Sequence, residues 1–340
     1  MVKKARLFEK VNESVVCKAC ARKCILSKGQ IGFCGVRKNI GGNLYLLVYG
    51  KVIACNIDPI EKKPVMHYMP GSRIFSIGTT GCSWACAYCL NFDISQRREI
   101  SGIEMSPKEI VEGAISNNCQ GIAYTYNEPS IFIEFASDVG RIAKKKGLIN
   151  IFVTNGFYTE ETVKEVKKFL NCATIDIKGN ANLDFVRKYI LIQSPQPIFD
   201  TLLQLKNSIH IEVTDLIIPK IGDDTEDCKK LCKFLFDNFG PDLPLHFLRF
   251  HPDYKLLNIP QTPIETLEKH HKIAREIGFN YVYIGNVWGH PYENTYCPEC
   301  NNVVIGRFGF SITSWNLDDK NNCKFCGYKI KVFGRPIEKP

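Results

Sequence analysis

The chain reads as an α/β protein, a partial (β/α) TIM-type barrel with small cysteine-rich, metal-binding extensions at its two ends. Two observations predict this. Between residues 73 and 286 short β-rich runs alternate with amphipathic stretches of helical period, and eleven of the sixteen cysteines gather in three clusters instead of scattering. A third sets the closure: seven βα units are one fewer than an eight-stranded barrel needs, so the sheet is expected to stay open.

Strands are expected at 73–78, 121–126, 148–154, 173–178, 210–218, 245–250 and 280–286. Several are nearly all apolar, as a sheet covered on both faces requires. Local punctuation marks the helices between them. Ser106, Pro107 and Glu109 supply an N-cap, a proline at the first helical position and a capping-box partner. Thr262, Pro263 and Glu265 repeat that arrangement. Ile264, Leu267, Ile273 and Ile277 give the following helix an apolar side, and Gly278 is placed to close it in the left-handed conformation.

In such folds the loops at the carboxyl ends of the strands converge over one mouth. Cys82, Cys86 and Cys89 follow the first strand. Asn127 with Glu128, Thr154 with Asn155 and Gly156, Asp176 with Lys178, and His251 leave later ones. With Ile177 between them, Asp176 and Lys178 point to one side of their strand.

The flanks differ from this core, and the expected division is 1–70, 71–290 and 291–340. The first part carries Cys17, Cys20, Cys24 and Cys34, followed by glycine-rich, strand-like sequence at 41–50. The last carries two Cys-x2-Cys pairs, Cys297 with Cys300 and Cys323 with Cys326, separated by 22 residues. The core has no internal repeat, and no long low-complexity linker interrupts the chain.

A hydrophobic share of 45% and a charged share of 23% over 340 residues fit a soluble folded protein and exclude a disordered one. The net charge of +9 is mild, and the runs Lys62-Lys63 and 144–146 sit among acidic residues. They read as solvated faces, which argues against nucleic acid as a partner. The start, Met1-Val-Lys-Lys-Ala-Arg6, has no apolar signal region, and no apolar run is long enough for a bilayer, so a cytoplasmic protein without a membrane partner is expected. Thiols there are reduced or bound to metal. Cys55, Cys119, Cys172, Cys228 and Cys232 stand outside the clusters and read as core residues.

The three clusters differ in chemistry. Three thiolates, Cys82, Cys86 and Cys89, can hold three irons of a [4Fe-4S] cube and leave the fourth open to a ligand. A structural zinc would need a fourth donor, and no histidine lies nearby in this loop. The two C-terminal pairs can present four thiolates tetrahedrally, as in a zinc ribbon, although rubredoxin-like iron shares that geometry. The N-terminal four satisfy the ligand count of zinc and of an auxiliary [4Fe-4S] cluster alike.

The triplet, with Tyr88 just before its last cysteine, resembles the signature of radical S-adenosylmethionine (SAM) enzymes, and the likeness extends over approximately residues 45 to 290. Within them it is most similar to the pyruvate formate-lyase activating enzyme group. The layout looks more narrowly like the AmmeMemoRadiSam-system radical enzymes, in the N-terminal cysteine run, Asp58-Pro-Ile-Glu-Lys-Lys-Pro64, Ala123-Tyr-Thr-Tyr-Asn-Glu-Pro129 and Tyr283-Ile-Gly-Asn286.

This resemblance implies a [4Fe-4S] cluster whose open iron is chelated by the methionine end of SAM. It further implies reductive cleavage to a 5'-deoxyadenosyl radical, a ferredoxin- or flavodoxin-type reductant, and hydrogen abstraction from a protein or a small molecule. By matching position, Tyr88, Asn127, Glu128, Thr154, Asn155, Asp176, Lys178 and His251 would surround the cosubstrate. Glu128 would meet its amino group, Asp176 and Lys178 its ribose and carboxylate, and His251 its ribose or a proton. The chain also departs from the group. Tyr126-Asn127 stands where the activating enzymes carry two glycines, Val153 where they carry an aspartate, Thr214 where an arginine is expected, and no ferredoxin-like insert follows the triplet. Two other functions compete: an activase that installs a glycyl radical on a partner protein, and a non-enzymatic zinc-bearing scaffold or nucleic-acid module.

Overall fold

The computed structural model describes residues 2–96 and 99–336. At its centre lies one eight-stranded sheet whose spatial order is its chain order: β1 (Ala54–Pro59), β2 (Arg73–Gly78), β3 (Gly121–Tyr124), β4 (Ile149–Thr154), β5 (Cys172–Lys178), β6 (His210–Ile217), β7 (Leu245–Arg249) and β8 (Val282–Gly285). The seven strands β2 to β8 are parallel, and β1 pairs antiparallel on the outer edge of β2. No bond joins β8 back to β1, so the barrel is partial, with two edges.

Right-handed crossovers demand a covering element between parallel neighbours. Here α1 (Pro107–Ser116), α2 (Ile133–Lys145), α3 (Glu160–Val166), α4 (Gln196–Leu205), α5 (Thr225–Phe239) and α6 (Ile264–Ile277) supply it. Covering both faces buries β3 throughout and lets Tyr124, Phe152 and Phe169 meet edge to face, with centroids 5.2 to 6.2 Å apart. All seven expected strands occur. The last is shorter than expected, because β7 offers β8 pairing only from Leu245 to Leu248.

The two helix starts that look alike in sequence diverge. Ser106 and Glu109 form the full capping box of α1. Thr262 does not cap α6. Its buried hydroxyl donates to Ile217 O at 2.6 Å and accepts from Phe250 N at 2.9 Å, tying β6 to the turn after β7. Gly278 closes α6 in the left-handed region, as expected (φ +118°). Two further expectations are corrected. Cys55, on the edge strand β1, is exposed, whereas Cys119, Cys172, Cys228 and Cys232 are buried. Lys63 is not on a solvated face: it is 3% exposed, with Nζ 2.7 Å from Asp58.

The N-terminal part forms two small antiparallel sheets, one of Phe8–Val11, Ser14–Cys17 and Ile25–Leu26, the other of Lys3–Lys4, Asn43–Leu46 and Arg37–Ile40. The C-terminal part is a three-stranded sheet, Thr295–Tyr296, Val303–Phe308 and Ser311–Trp315, whose apolar side packs on Tyr281 and Tyr283 at the β8 edge. Among the described residues no helix is long and apolar enough to cross a membrane.

Candidate active site

The loop leaving β2 is shaped before any cofactor is considered. Gly78 has no room for a side chain, since a Cβ there would sit 2.8 Å from Thr125 O. Asn127 donates to Gly81 O at 2.8 Å and to Thr79 Oγ1 at 3.1 Å, clamping the loop to the end of β3. Ala85 N and Ala87 N donate to Ile190 O and Tyr189 O, and Lys255 N to Ala87 O, so the turn carrying the thiols is held from two further sides. Cys82, Cys86 and Cys89 therefore emerge from a fixed backbone.

These three thiols line one cleft of about 510 Å³ at the carboxyl ends of the strands, a volume typical of sites for ligands of cosubstrate size. Tyr88, Asn127, Glu128, Thr154, Asn155, Asp176 and Lys178 line the same cleft. His251 does not; its side chain is exposed beyond the end of β7. Tyr88 is buried between Phe185 and Phe250, with its hydroxyl toward Cys86.

Glu128 is 1% exposed, at the start of a single helical turn, Pro129–Phe132. Ser130 N (2.9 Å), Asn155 N (2.8 Å) and the Thr154 hydroxyl (2.9 Å) donate to its carboxylate. Burial nevertheless outweighs those bonds and pushes the carboxyl up to about 7. Asp176 and Lys178, one residue apart on the same side of β5, pair at 3.2 Å, and the Thr214 hydroxyl donates to Asp176. The threonine on β6 thus orients the carboxylate without neutralising it.

Several cleft residues were not singled out as site residues in the sequence, although the motifs 58–64, 123–129 and 283–286 contain some of them. Lys62 and Lys63 reach the cleft from the β1–β2 connection, and Asp58 holds both at 2.8 and 2.7 Å while accepting from the Tyr126 hydroxyl at 3.0 Å. Their spacing from Asp58, four and five residues, was the available hint. Trp84, Leu90, Leu216, Leu248 and Asn286 also line the wall. A larger groove of about 620 Å³ lies against α6, β8 and the C-terminal strands, but no clustered cysteine lines it.

The donor sets can be tested against their groups by spacing. A tetrahedral ion with bonds of about 2.3 Å sets its sulfurs about 3.8 Å apart. Cys297 and Cys326 stand 3.6 Å apart, Cys300 and Cys323 3.7 Å, and all four sulfurs lie within 4.8 Å of one another. Among the described residues no other three thiols gather so closely. The triplet is spread wider, as ligands to separate irons of a cube must be. Trp84 Nε1, buried in the same wall, has no protein partner, and Trp84 N donates to Cys82 Sγ at 3.4 Å.

Residues 76–235 match the sequence pattern of the Radical SAM superfamily. An uncharacterised protein of Methanocaldococcus jannaschii is 45% identical over 336 residues, covering 97% of this chain and 99% of that one. Among solved structures, SuiB of Streptococcus suis bound to S-adenosylmethionine superposes with a TM-score of 0.50 at 10% identity, over 70% of this chain and 56% of that one, a likeness of fold. A domain of pyruvate-formate lyase-activating enzyme from Bacteroides vulgatus gives 0.43 at 18% identity, over 49% of this chain and 99% of that one. The superfamily's pattern runs across the strands that build the cleft, and the chain accordingly belongs to the Radical SAM superfamily.

Proposed function

We propose that the cleft is the active site of a radical enzyme in which Cys82, Cys86 and Cys89 hold a [4Fe-4S] cluster and SAM occupies the space beside it. The observation that carries this reading is the meeting of an incomplete set of three thiols with Glu128, Asp176 and Lys178 in one cleft. The reduced cluster, when bound, supplies the electron that splits SAM into methionine and a 5'-deoxyadenosyl radical, the species that abstracts hydrogen.

The chain's own residues bind and orient. Glu128 offers a buried carboxylate to the cosubstrate's ammonium, Lys178 a cation to its carboxylate, and Asp176 an acceptor to ribose hydroxyls. Thr154 and Asn155 fix Glu128 in place. His251 stands outside the cleft and takes no part. A one-electron reductant of ferredoxin or flavodoxin type is the implied partner. In this reading 71–290 carry the chemistry, with edge strand β1 and the cleft lysines Lys62 and Lys63 contributed by 1–70, and the cysteine-bearing parts of 1–70 and 291–340 are metal-bearing extensions. The 3.6 and 3.7 Å sulfur spacings support a single tetrahedral ion in the C-terminal one, zinc or rubredoxin-like iron. The AmmeMemoRadiSam-like layout rests on the N-terminal cysteine run and the motifs 58–64, 123–129 and 283–286, and the lysines of the first motif reach the cleft. A second reading, a protein substrate such as a glycine loop to be activated, is favoured by Leu90, which lines the cleft yet is 63% exposed.

Anaerobic reconstitution with iron and sulfide, reduction by dithionite and chromatography for 5'-deoxyadenosine test the reading. Fully loaded protein is expected to form it, and Cys86→Ala to form none while keeping its C-terminal metal. Loaded wild-type protein that yields no 5'-deoxyadenosine overturns the assignment.

A further inference from the structure

The N-terminal thiols belong to no step so far, yet Cys17, Cys20, Cys24 and Cys34 line one small pocket together. Each is placed by backbone. Cys17 ends the strand Ser14–Cys17 and donates its amide to Cys24 O at 3.0 Å, and Lys23 N donates to Cys20 O, so the first three thiols share one hairpin. Cys34 arrives on the tight turn in which Gly35 N bonds Gly32 O. The amides of Ala19, Arg22 and Val36 face the thiols of Cys17, Cys20 and Cys34. A Cβ on Gly32 would lie 3.9 Å from Cys24 Sγ, at the pocket wall.

The spacing selects the occupant. Four thiols share a wall, but no three of them come within 4.8 Å of one another, in contrast to the C-terminal set. One tetrahedral ion cannot span that arrangement without drawing the sulfurs together, whereas a cube places each thiolate on its own iron. With four ligands, unlike the triplet, such a cube has no open iron and serves electron transfer.

Position gives it a direction. Ser83 lines this pocket while its neighbour Cys82 lines the active-site cleft. A Cβ on Gly81 (φ +90°) would fall 2.3 Å from Cys34 O, so the two cysteine-bearing backbones touch there. Arg22 also lines the pocket, stacks on Phe33 at 3.5 Å, grips the triplet loop through Ser83 O at 2.5 Å and donates to Leu191 O, at the end of the turn 186–190, at 2.6 Å. A cation between two anionic clusters favours the reduced form of each.

We propose that Cys17, Cys20, Cys24 and Cys34 bind a second [4Fe-4S] cluster, which takes one electron from a low-potential one-electron donor and passes it across the Gly81–Ser83 backbone to the cluster of the triplet. The donor is oxidised by one electron, the N-terminal cube is reduced and then reoxidised, and no bond is made or broken. The relay direction rests on the reading of the triplet given above; cluster binding does not.

The test uses the full chain, reconstituted anaerobically with ferrous iron and sulfide. Wild-type protein is expected to hold about eight irons and eight sulfides, four of each per cube. The variant Cys82→Ala/Cys86→Ala/Cys89→Ala is expected to keep half of both, with a dithionite-induced paramagnetic signal that SAM leaves unchanged. Cys24→Ser, at a half-buried position, and Cys20→Ala/Cys34→Ala are expected to lose that half and keep the SAM-sensitive signal. Magnetic broadening in reduced wild-type protein, absent from both sets of variants, supports the relay. Zinc without sulfide at the N-terminal thiols of the triple variant overturns the cluster. Two clusters in wild-type protein without mutual broadening overturn the relay alone. A SAM-sensitive signal that survives in Cys82→Ala/Cys86→Ala/Cys89→Ala would instead sink the reading of the triplet.

Discussion

A buried carboxylate serves a cation only when it is bare, and Glu128 sits close to that threshold. Its carboxyl lies at about 7 because burial outweighs three donated hydrogen bonds. An ammonium favours the anion, so cosubstrate binding lowers this value and the free site must release a proton at acidic pH. SAM affinity is therefore expected to fall by up to about tenfold per pH unit below 7 and to flatten above it. Glu128→Gln keeps the shape and removes the charge. It is expected to weaken binding roughly ten- to hundredfold, the worth of a charge-assisted bond of about 1.5–3 kcal/mol, and to abolish the pH slope. Calorimetric titration at pH 6 and 8 checks both, and equal affinities of wild-type protein at the two values would remove Glu128 from the binding site. The polar strand ends were legible from sequence because position along a βα unit fixes where a side chain emerges. His251 was not, since a residue just beyond a strand can turn either way. Nor was Lys63, whose burial depends on Asp58 reaching it from the edge strand.

At the scale of elements, the two similar helix starts separate local signals from long-range ones. Ser106 serves α1 alone, within four residues, and such a cap is visible in sequence. Thr262 serves β6 and the turn after β7, partners 45 and 12 residues away, and no window on the sequence contains them. Ser106→Ala should cost about 1 kcal/mol, the usual worth of a cap. Thr262→Ala leaves Ile217 O and Phe250 N buried without their partner and should cost more, about 2–3 kcal/mol for two orphaned groups. Urea unfolding monitored on the two variants decides the order, and a larger loss at Ser106 would contradict the role assigned to Thr262. The seven parallel strands were readable because sheets covered on both faces need continuous apolar runs. Edge strand β1 escaped notice because its burial pattern is mostly open.

At the scale of the molecule, an open barrel must keep its two edges in place without strand pairing between them. The C-terminal sheet provides a bridge of side chains. Tyr283 on β8 shares its hydroxyl between His67 Nε2 at 2.6 Å and Thr295 Oγ1 at 2.8 Å, and Arg307 donates to Thr295 Oγ1 and to Met66 O. Met66 and His67 belong to the connection between β1 and β2, and both their amides bond Glu212 near the amino end of β6. The module thus touches both edges of the sheet, on the side away from the cleft. Its buried residues are few, among them Val304, Ile305, Leu317 and Ile330, so the metal proposed on Cys297, Cys300, Cys323 and Cys326 would supply much of its order. Cys323→Ser is therefore expected to release the metal and to raise amide exchange across 295–332 and β8. Strands β3 to β5, buried in the main core, should keep their protection, and the iron content of the triplet should not change. Hydrogen exchange read by mass spectrometry distinguishes the cases. If exchange rises only within 295–332 and β8 stays protected, the module merely decorates the barrel; if β3 to β5 open with it, the C-terminal metal holds the whole fold.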